Sequence, residues 1–188
     1  MKNRQVLLTL LTGAVGFGGF FAVYTYIASM VGSTLGGSER DVALMLVIAG
    51  LGMMIFNLVM AELADRNLDM TAYLAFGGGG IVLLLLPTAV AGGYWTMALA
   101  VLLMSMLAGV SIVMQTRLMN VAGEAQQMAA SMHHAAFNLA NALGPFLAAR
   151  AISAGHDFPV AGYVGAALSA VGILLYAITH WDAKRSGY

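Results

Sequence analysis

The chain has 188 residues, 61% of them hydrophobic and 9% charged, and its eight basic and eight acidic side chains balance to zero net charge. A water-soluble domain carries roughly 25% charged residues, so these charges cannot cover a surface in water and the bilayer is the expected solvent. Zero net charge excludes the basic footprint of a nucleic-acid binder. The absence of cysteine excludes a disulfide framework, a thiolate metal site and a cysteine nucleophile.

A membrane-spanning helix needs about 20 apolar residues. Six stretches meet this, at residues 6–31, 42–63, 70–90, 94–118, 127–152 and 160–179. The expected fold class is therefore all-α, with a single six-helix transmembrane domain over residues 1–188. The first stretch follows Lys2 and Arg4 as a signal peptide would, but it far exceeds a signal h-region of about 7–15 residues and reads as a retained helix. It carries an aromatic stripe of Phe17, Phe20, Phe21 and Tyr24, with Tyr26 on the opposite face. A Gly/Ser-rich loop with Glu39, Arg40 and Asp41 precedes the second stretch, and a tight charged turn with Asp65 and Arg66 follows it. The third contains Gly77 to Gly80 in an apolar span without lysine, a poor match to a phosphate-binding loop. Gly92 and Gly93 form an uncharged turn before the fourth stretch, and a polar turn ending at Glu124 separates the fourth from the fifth. The last stretch presents Gly162, Gly165, Ser169 and Gly172, small residues that let helices approach closely in a membrane. The same reading applies to Gly13, Gly16, Gly18 and Gly19 in the first, with a hinge at Gly16 to Gly19 as the alternative.

The fifth stretch is the most informative. At about 100° per residue, Gln127, Ser131, His134, Asn138, Asn141 and Pro145 fall on one narrow stripe, with Ala129, Ala136, Ala140, Leu143 and Leu147 on the other side. Polar groups in hydrocarbon are costly unless paired or facing a wet cavity. The stripe is therefore expected to face the bundle interior or a cavity. Two readings stand for His134, Asn138 and Asn141: hydrogen bonds to a solute, or hydrogen bonds to neighbouring helices. Histidine is the side chain suited to a charge change near neutral pH, so His134 is a candidate proton site, while His133 points elsewhere and needs no role.

Loops facing the cytoplasm are enriched in Lys and Arg. The two termini, the second turn and the fourth turn fall on one side and hold Lys2, Arg4, Arg66, Arg117, Lys184 and Arg185, whereas the other side holds only Arg40 and Arg150. Both termini are expected in the cytoplasm. No nucleophile–base set, metal-ligand spacing or phosphate loop supports an enzyme.

Three segments resemble the major facilitator superfamily in its drug- and sugar-efflux antiporter branch. GFGGFFAVYTYIA, from Gly16 to Ala28, is similar to the seventh helix of that family. GLGMMIFNLVMAELADR, from Gly50 to Arg66, resembles its eighth helix and the turn repeating its Asp-Arg signature. QTRLMNVAGEAQQMAASMHHAAFNLANALGP, from Gln115 to Pro145, resembles the tenth and eleventh helices of arabinose-efflux-type permeases. Met60 and Ala61 stand where family members usually have paired glycines, and Ala148 and Ala149 replace another pair.

The resemblance implies the C-terminal six-helix half of a transporter. It implies transport of small organic solutes in the efflux direction, by alternating access in a bacterial inner membrane. Phe17, Phe20, Phe21 and Tyr24 would then line a cavity with His134, Asn138 and Asn141. Asp65, Arg66, Arg117 and Glu124 would form a conformational-switch turn, with Arg117 and Glu124 joining Asp65 and Arg66 in one network. No cofactor is implied beyond proton coupling. The implied partners are the lipid bilayer, a small-molecule substrate, and either a second copy in a parallel homodimer or a separate N-terminal half. The rival expectation is a truncated or accessory half that does not transport.

Overall fold

The structure, a computed structural model, describes residues 4–186, apart from the side chains of Glu124 and Ser186. Lys2 lies outside the described residues. Six helical rods are present among those residues: α1 (Arg4–Thr34), α2 (Glu39–Arg66), α3 (Leu68–Ala91), α4 (Tyr94–Ala122), α5 (Gln126–Ser153) and α6 (Val160–Ser186). The rods run past the apolar stretches into their polar flanks, because the capping groups lie there. Ser38 caps α2 in a reciprocal box: its Oγ accepts from the Asp41 amide, and its own amide donates to Asp41 Oδ2 at 2.8 Å. Such a box satisfies amides that a helix start would otherwise leave orphaned. Asn67 serves two helices at once. Its amide bonds to the Leu63 carbonyl to close α2, and its Oδ1 accepts from the Met70 amide at 2.9 Å to open α3.

Among the described residues, α1, α2, α3, α4 and α6 are long and apolar enough to cross a membrane. α5 is just as long at 28 residues, but Gln126, Gln127, Ser131, His133, His134, Asn138 and Asn141 dilute its hydropathy. It falls outside that group for the same reason that it attracts functional interest.

Two rods are interrupted. α1 breaks at Phe17 and again at Thr25–Tyr26, then ends in a π turn over Met30–Thr34. α4 tightens to a 3-10 segment over Ser105–Ala108, where Ser105 Oγ donates to the Val101 and Ala49 carbonyls at 2.9 and 3.4 Å. Among the five rods long and apolar enough to cross a membrane, α1 and α4 are the most enclosed and α2 the most peripheral. α1 packs on α5 and α6, α3 packs on α6, and α2 lies against α4 and α3.

Glycine makes the closest of these approaches. A Cβ built at Gly165 of α6 would lie 2.6 Å from the Gly19 carbonyl oxygen of α1, and Gly144 of α5 meets the backbone of Gly18 just as tightly. Only hydrogen fits there, so backbones pack directly, as small-residue interfaces in membranes allow. Close packing thus accounts for both sides of the α1 break.

The alternation of rods brings the start of α1, the α2–α3 turn, the end of α4 and the end of α6 to one end of the bundle. Side-chain bonds tie that end together, as described below. At the other end the Tyr94 hydroxyl donates to the Asp41 carbonyl at 2.8 Å, linking α4 to α2.

Candidate functional site

The polar stripe of α5 does not point into this bundle. Gln127, Ser131, His134, Asn138 and Asn141 are all exposed, and Pro145 is half-buried. The inward side of α5 is made by Ala129, His133, Ala140, Gly144 and Ala148. Of the two placements expected for the stripe, the interior of the six helices is thereby excluded, and a cavity outside them is the one left. The cause is steric: α5 can approach α1 only with its smallest residues, so Ala140 and Gly144 turn inward and the amide side chains turn out. Within the stripe Ser131 Oγ donates to the Gln127 carbonyl at 3.2 Å and so satisfies itself locally.

His133 is the residue that sequence reasoning passed over. It is 3% exposed, its Nε2 lies 3.3 Å from Ser111 Oγ of α4, and its ring sits 4.5 Å from that of Phe137. Its signal was the pairing of two adjacent histidines on a helix: if one faces out, the other is turned about 100° away, toward a neighbour.

The aromatic stripe of α1 is a packed ladder. Phe17 and Phe20 are buried and stacked with centroids 5.6 Å apart. Phe20 stacks on Tyr24 at 5.4 Å, and Phe17 meets Phe137 of α5 at 4.5 Å. Phe21 and Tyr24 are half-buried, so these two carry what accessible surface the ladder has. The ladder reaches α5 through Phe137, the residue next to Asn138, so the aromatic and polar features adjoin. Tyr26 donates its hydroxyl to the Pro145 carbonyl at 3.3 Å and braces α5 where its backbone lacks an amide.

The four residues expected in one turn network part company. Arg66 pairs with Glu62 one helical turn away at 2.7 Å, with both side chains exposed, and Asp65 is exposed beside it. Arg117 is instead drawn inside at 8% exposure. It reaches Asp69 at 3.4 Å, Gln5 Oε1 at 3.2 Å and the Thr179 carbonyl at 3.3 Å, with its guanidinium 5.3 Å from the Tyr176 ring centroid. The expectation that Arg117 joins Asp65 and Arg66 is therefore corrected. A long side chain at the end of α4 finds better-shielded acceptors among α1, α3 and α6 than in the solvated turn. The Glu124 side chain lies outside the described residues.

Asp69 is the hub of this cluster. It accepts from the Tyr176 hydroxyl at 2.6 Å and faces His180 Nδ1 at 3.0 Å. A second carboxylate, Asp182, takes Gln5 Nε2 at 2.7 Å and Arg4 at 3.2 Å. Four helices thus meet at one end through charge-assisted bonds, the stronger class of hydrogen bond. Isolated polar residues within apolar helices, such as Gln5, Tyr176 and Thr179, were the available signal, since such groups in hydrocarbon need partners. Among the described residues no cluster of three or more His, Asp and Glu has a metal-binding arrangement.

A bundle of apolar rods with buried charge at one end and an exposed polar stripe on one helix suits a membrane protein, and the comparisons agree. The model of the Major Facilitator Superfamily matches residues 4–186. The inner membrane transport protein YdhP of Escherichia coli K12 is 32% identical over 175 residues, covering 93% of this chain and 45% of that protein. The MFS-type transporter YtbD of Bacillus subtilis is 28% identical over 151 residues, covering 78% of this chain and 38% of that protein. A second B. subtilis MFS-type transporter, YfhI, is 25% identical over 187 residues, covering all of this chain and 47% of that protein. The chain spans about half the length of the curated relatives it matches. With every described residue inside the family match, the chain is a multi-pass membrane protein that belongs to the major facilitator superfamily.

Proposed function

We propose that these helices form one wall of a carrier for small organic solutes, drug- or sugar-like, that exports them by alternating access. The observation that carries this reading is the exposed stripe Gln127, Ser131, His134, Asn138 and Asn141 on a rod long enough to span the bilayer. Five polar side chains against lipid would be costly, so a wet cavity or a polar partner covers them. In this superfamily the halves are parallel repeats about an axis along the membrane normal, with the solute site between them near the midplane. A second copy in a parallel homodimer, or a separate N-terminal half, supplies the facing wall. His134, Asn138 and Asn141 then hydrogen-bond the solute, with Phe21 and Tyr24 of the aromatic ladder at the rim and Phe17 and Phe20 supporting them from behind.

The six basic residues on one side against two on the other favour both termini in the cytoplasm, in a bacterial inner membrane. The exposed Asp65 then faces the partner half, where it caps the cytoplasmic start of a helix. His134 is the candidate proton carrier.

The test is solute flux in vesicles carrying the reconstituted protein together with crosslinking across the α5 stripe. Counterflow that is lost in Asn138→Leu and Asn141→Leu, with an α5–α5 or α5–partner crosslink, supports the reading. Full flux in both variants, or labelling of Asn138 and Asn141 positions from the lipid phase alone, refutes it. An unchanged pH profile in His134→Gln removes the proton role.

A further inference from the structure

α3 and α6 pack tightly toward the bundle axis but part on the outer side. Phe76, Gly77 and Gly80 of α3 face Tyr163, Ala170 and Ile173 of α6 across a groove of about 530 Å³. The groove exists because its floor is small-residued. A Cβ built at Gly77 would make only an ordinary contact, 3.9 Å from Ile173 Cδ1, so a side chain is tolerated there and a larger one would extend into the groove. Among the described residues that line it, only Tyr163 carries a side-chain polar atom, and the groove opens to the outside of the bundle, where the bilayer is the solvent.

The groove continues into a different chemistry at one end. At about 100° per residue, Leu174, Ala177, Trp181 and Lys184 carry the groove face of α6 toward its C-terminal end, and Tyr73 carries that of α3 toward its start. Trp181 and Tyr73 are both exposed, and Trp and Tyr favour the headgroup level of a membrane. The Arg185 guanidinium lies 3.7 Å from the Trp181 ring centroid, which brings its charge onto this face beside Lys184. The nearby acids do not cancel these cations: Asp69 is held by Arg117 and His180, and Asp182 by Arg4. From Lys184 to Ile173 the axis rises about 16 Å at 1.5 Å per residue, close to half of a hydrocarbon core of about 30 Å. An acyl chain whose headgroup sits at Lys184 therefore ends in the groove.

We propose that the α3–α6 groove and the Trp181–Lys184–Arg185 end of α6 together bind one anionic phospholipid. Its phosphate rests on Lys184 and Arg185, and an acyl chain runs over Ala177 to lie on Gly77 and Gly80. The leaflet is the one on the C-terminal side, and the site requires neither a particular solute nor a particular partner half.

The experiment is native mass spectrometry of the full chain titrated with phosphatidylglycerol or with phosphatidylcholine of identical acyl chains. One phosphatidylglycerol is retained at least tenfold more tightly than phosphatidylcholine. Neutralising both cations in Lys184→Gln/Arg185→Gln lowers phosphatidylglycerol affinity about 30-fold, from two basic residues at a charged membrane surface, and abolishes the preference. Filling the groove with Gly77→Leu, or from the facing helix with Ala170→Leu, weakens retention of both lipids. Thermal unfolding confirms that each variant is folded, and either filling variant suffices. Equal retention of the two lipids by the unaltered chain overturns the proposal. So does a preference that survives removal of both cations, or phosphatidylglycerol retention unaffected by filling. A change of oligomeric state on filling also overturns it, because a second copy would then be the groove's occupant.

Discussion

Arg117 and Asp69 form an ion pair whose two ends are unequally shielded, and this inequality has a measurable consequence. The Arg117 side chain is 9% exposed and the Asp69 side chain 38%. Removing one member of a buried pair typically costs about 3–5 kcal/mol because the other charge is stranded. Asp69→Asn strands Arg117, which among the described residues keeps the Gln5 and Thr179 oxygens and the Tyr176 ring but no carboxylate, so about 3 kcal/mol is expected. Arg117→Met strands Asp69, but water reaches that carboxylate, and the Tyr176 hydroxyl and His180 still bond to it. Exposure of this kind reduces ion-pair energies toward about 1 kcal/mol, so about 1–2 kcal/mol is expected. The double variant restores charge balance and falls well short of the sum. Equilibrium unfolding in mixed micelles of all four proteins reads these differences directly. Arg117→Met destabilising as much as Asp69→Asn, or a strictly additive double variant, would refute the picture of a shielded cation held by a half-solvated hub.

Other consequences follow from the same geometry. Gly165→Leu places a side chain against the Gly19 carbonyl of α1 and cannot be relieved by rotamer change, so it lowers the unfolding midpoint or abolishes folding, whereas Gly77→Leu, whose Cβ meets only Ile173 at ordinary contact distance beside the groove, leaves the midpoint within a few degrees; paired thermal scans decide. Ser38→Ala removes the cap of α2 and speeds hydrogen exchange of its first-turn amides about fivefold, as loss of an N-cap implies, while the amides of α3 stay unchanged. Arg66→Ala breaks only an exposed pair with Glu62 and leaves the unfolding midpoint unaltered, in contrast to Arg117. His133→Leu, behind the exposed stripe, destabilises by about 1 kcal/mol by orphaning Ser111, yet leaves the pH profile of flux unchanged.

The amino-acid sequence by itself determined the class of solvent and the alternation of rods and turns. Both are local properties: a run such as Val42 to Leu63 must pair its own backbone in hydrocarbon, and Ser38 or Asn67 caps whatever begins beside it. Periodicity also revealed that α5 has a polar stripe, because relative angles along one helix are set by 3.6 residues per turn. What periodicity leaves open is the absolute rotation of that helix. Gly144 meeting Gly18 decided it, and so placed Asn138 and Asn141 outside the bundle and His133 within. The same distinction separates Arg66 from Arg117. Both read as charges at the ends of helices, and only the packing of α1, α3 and α6 around α4 offered one of them Asp69, 48 residues away in sequence, while leaving the other in water. Partners so distant are chosen by how backbones fit together, and here that fit rests on glycines whose role cannot be read until the surface they touch is known.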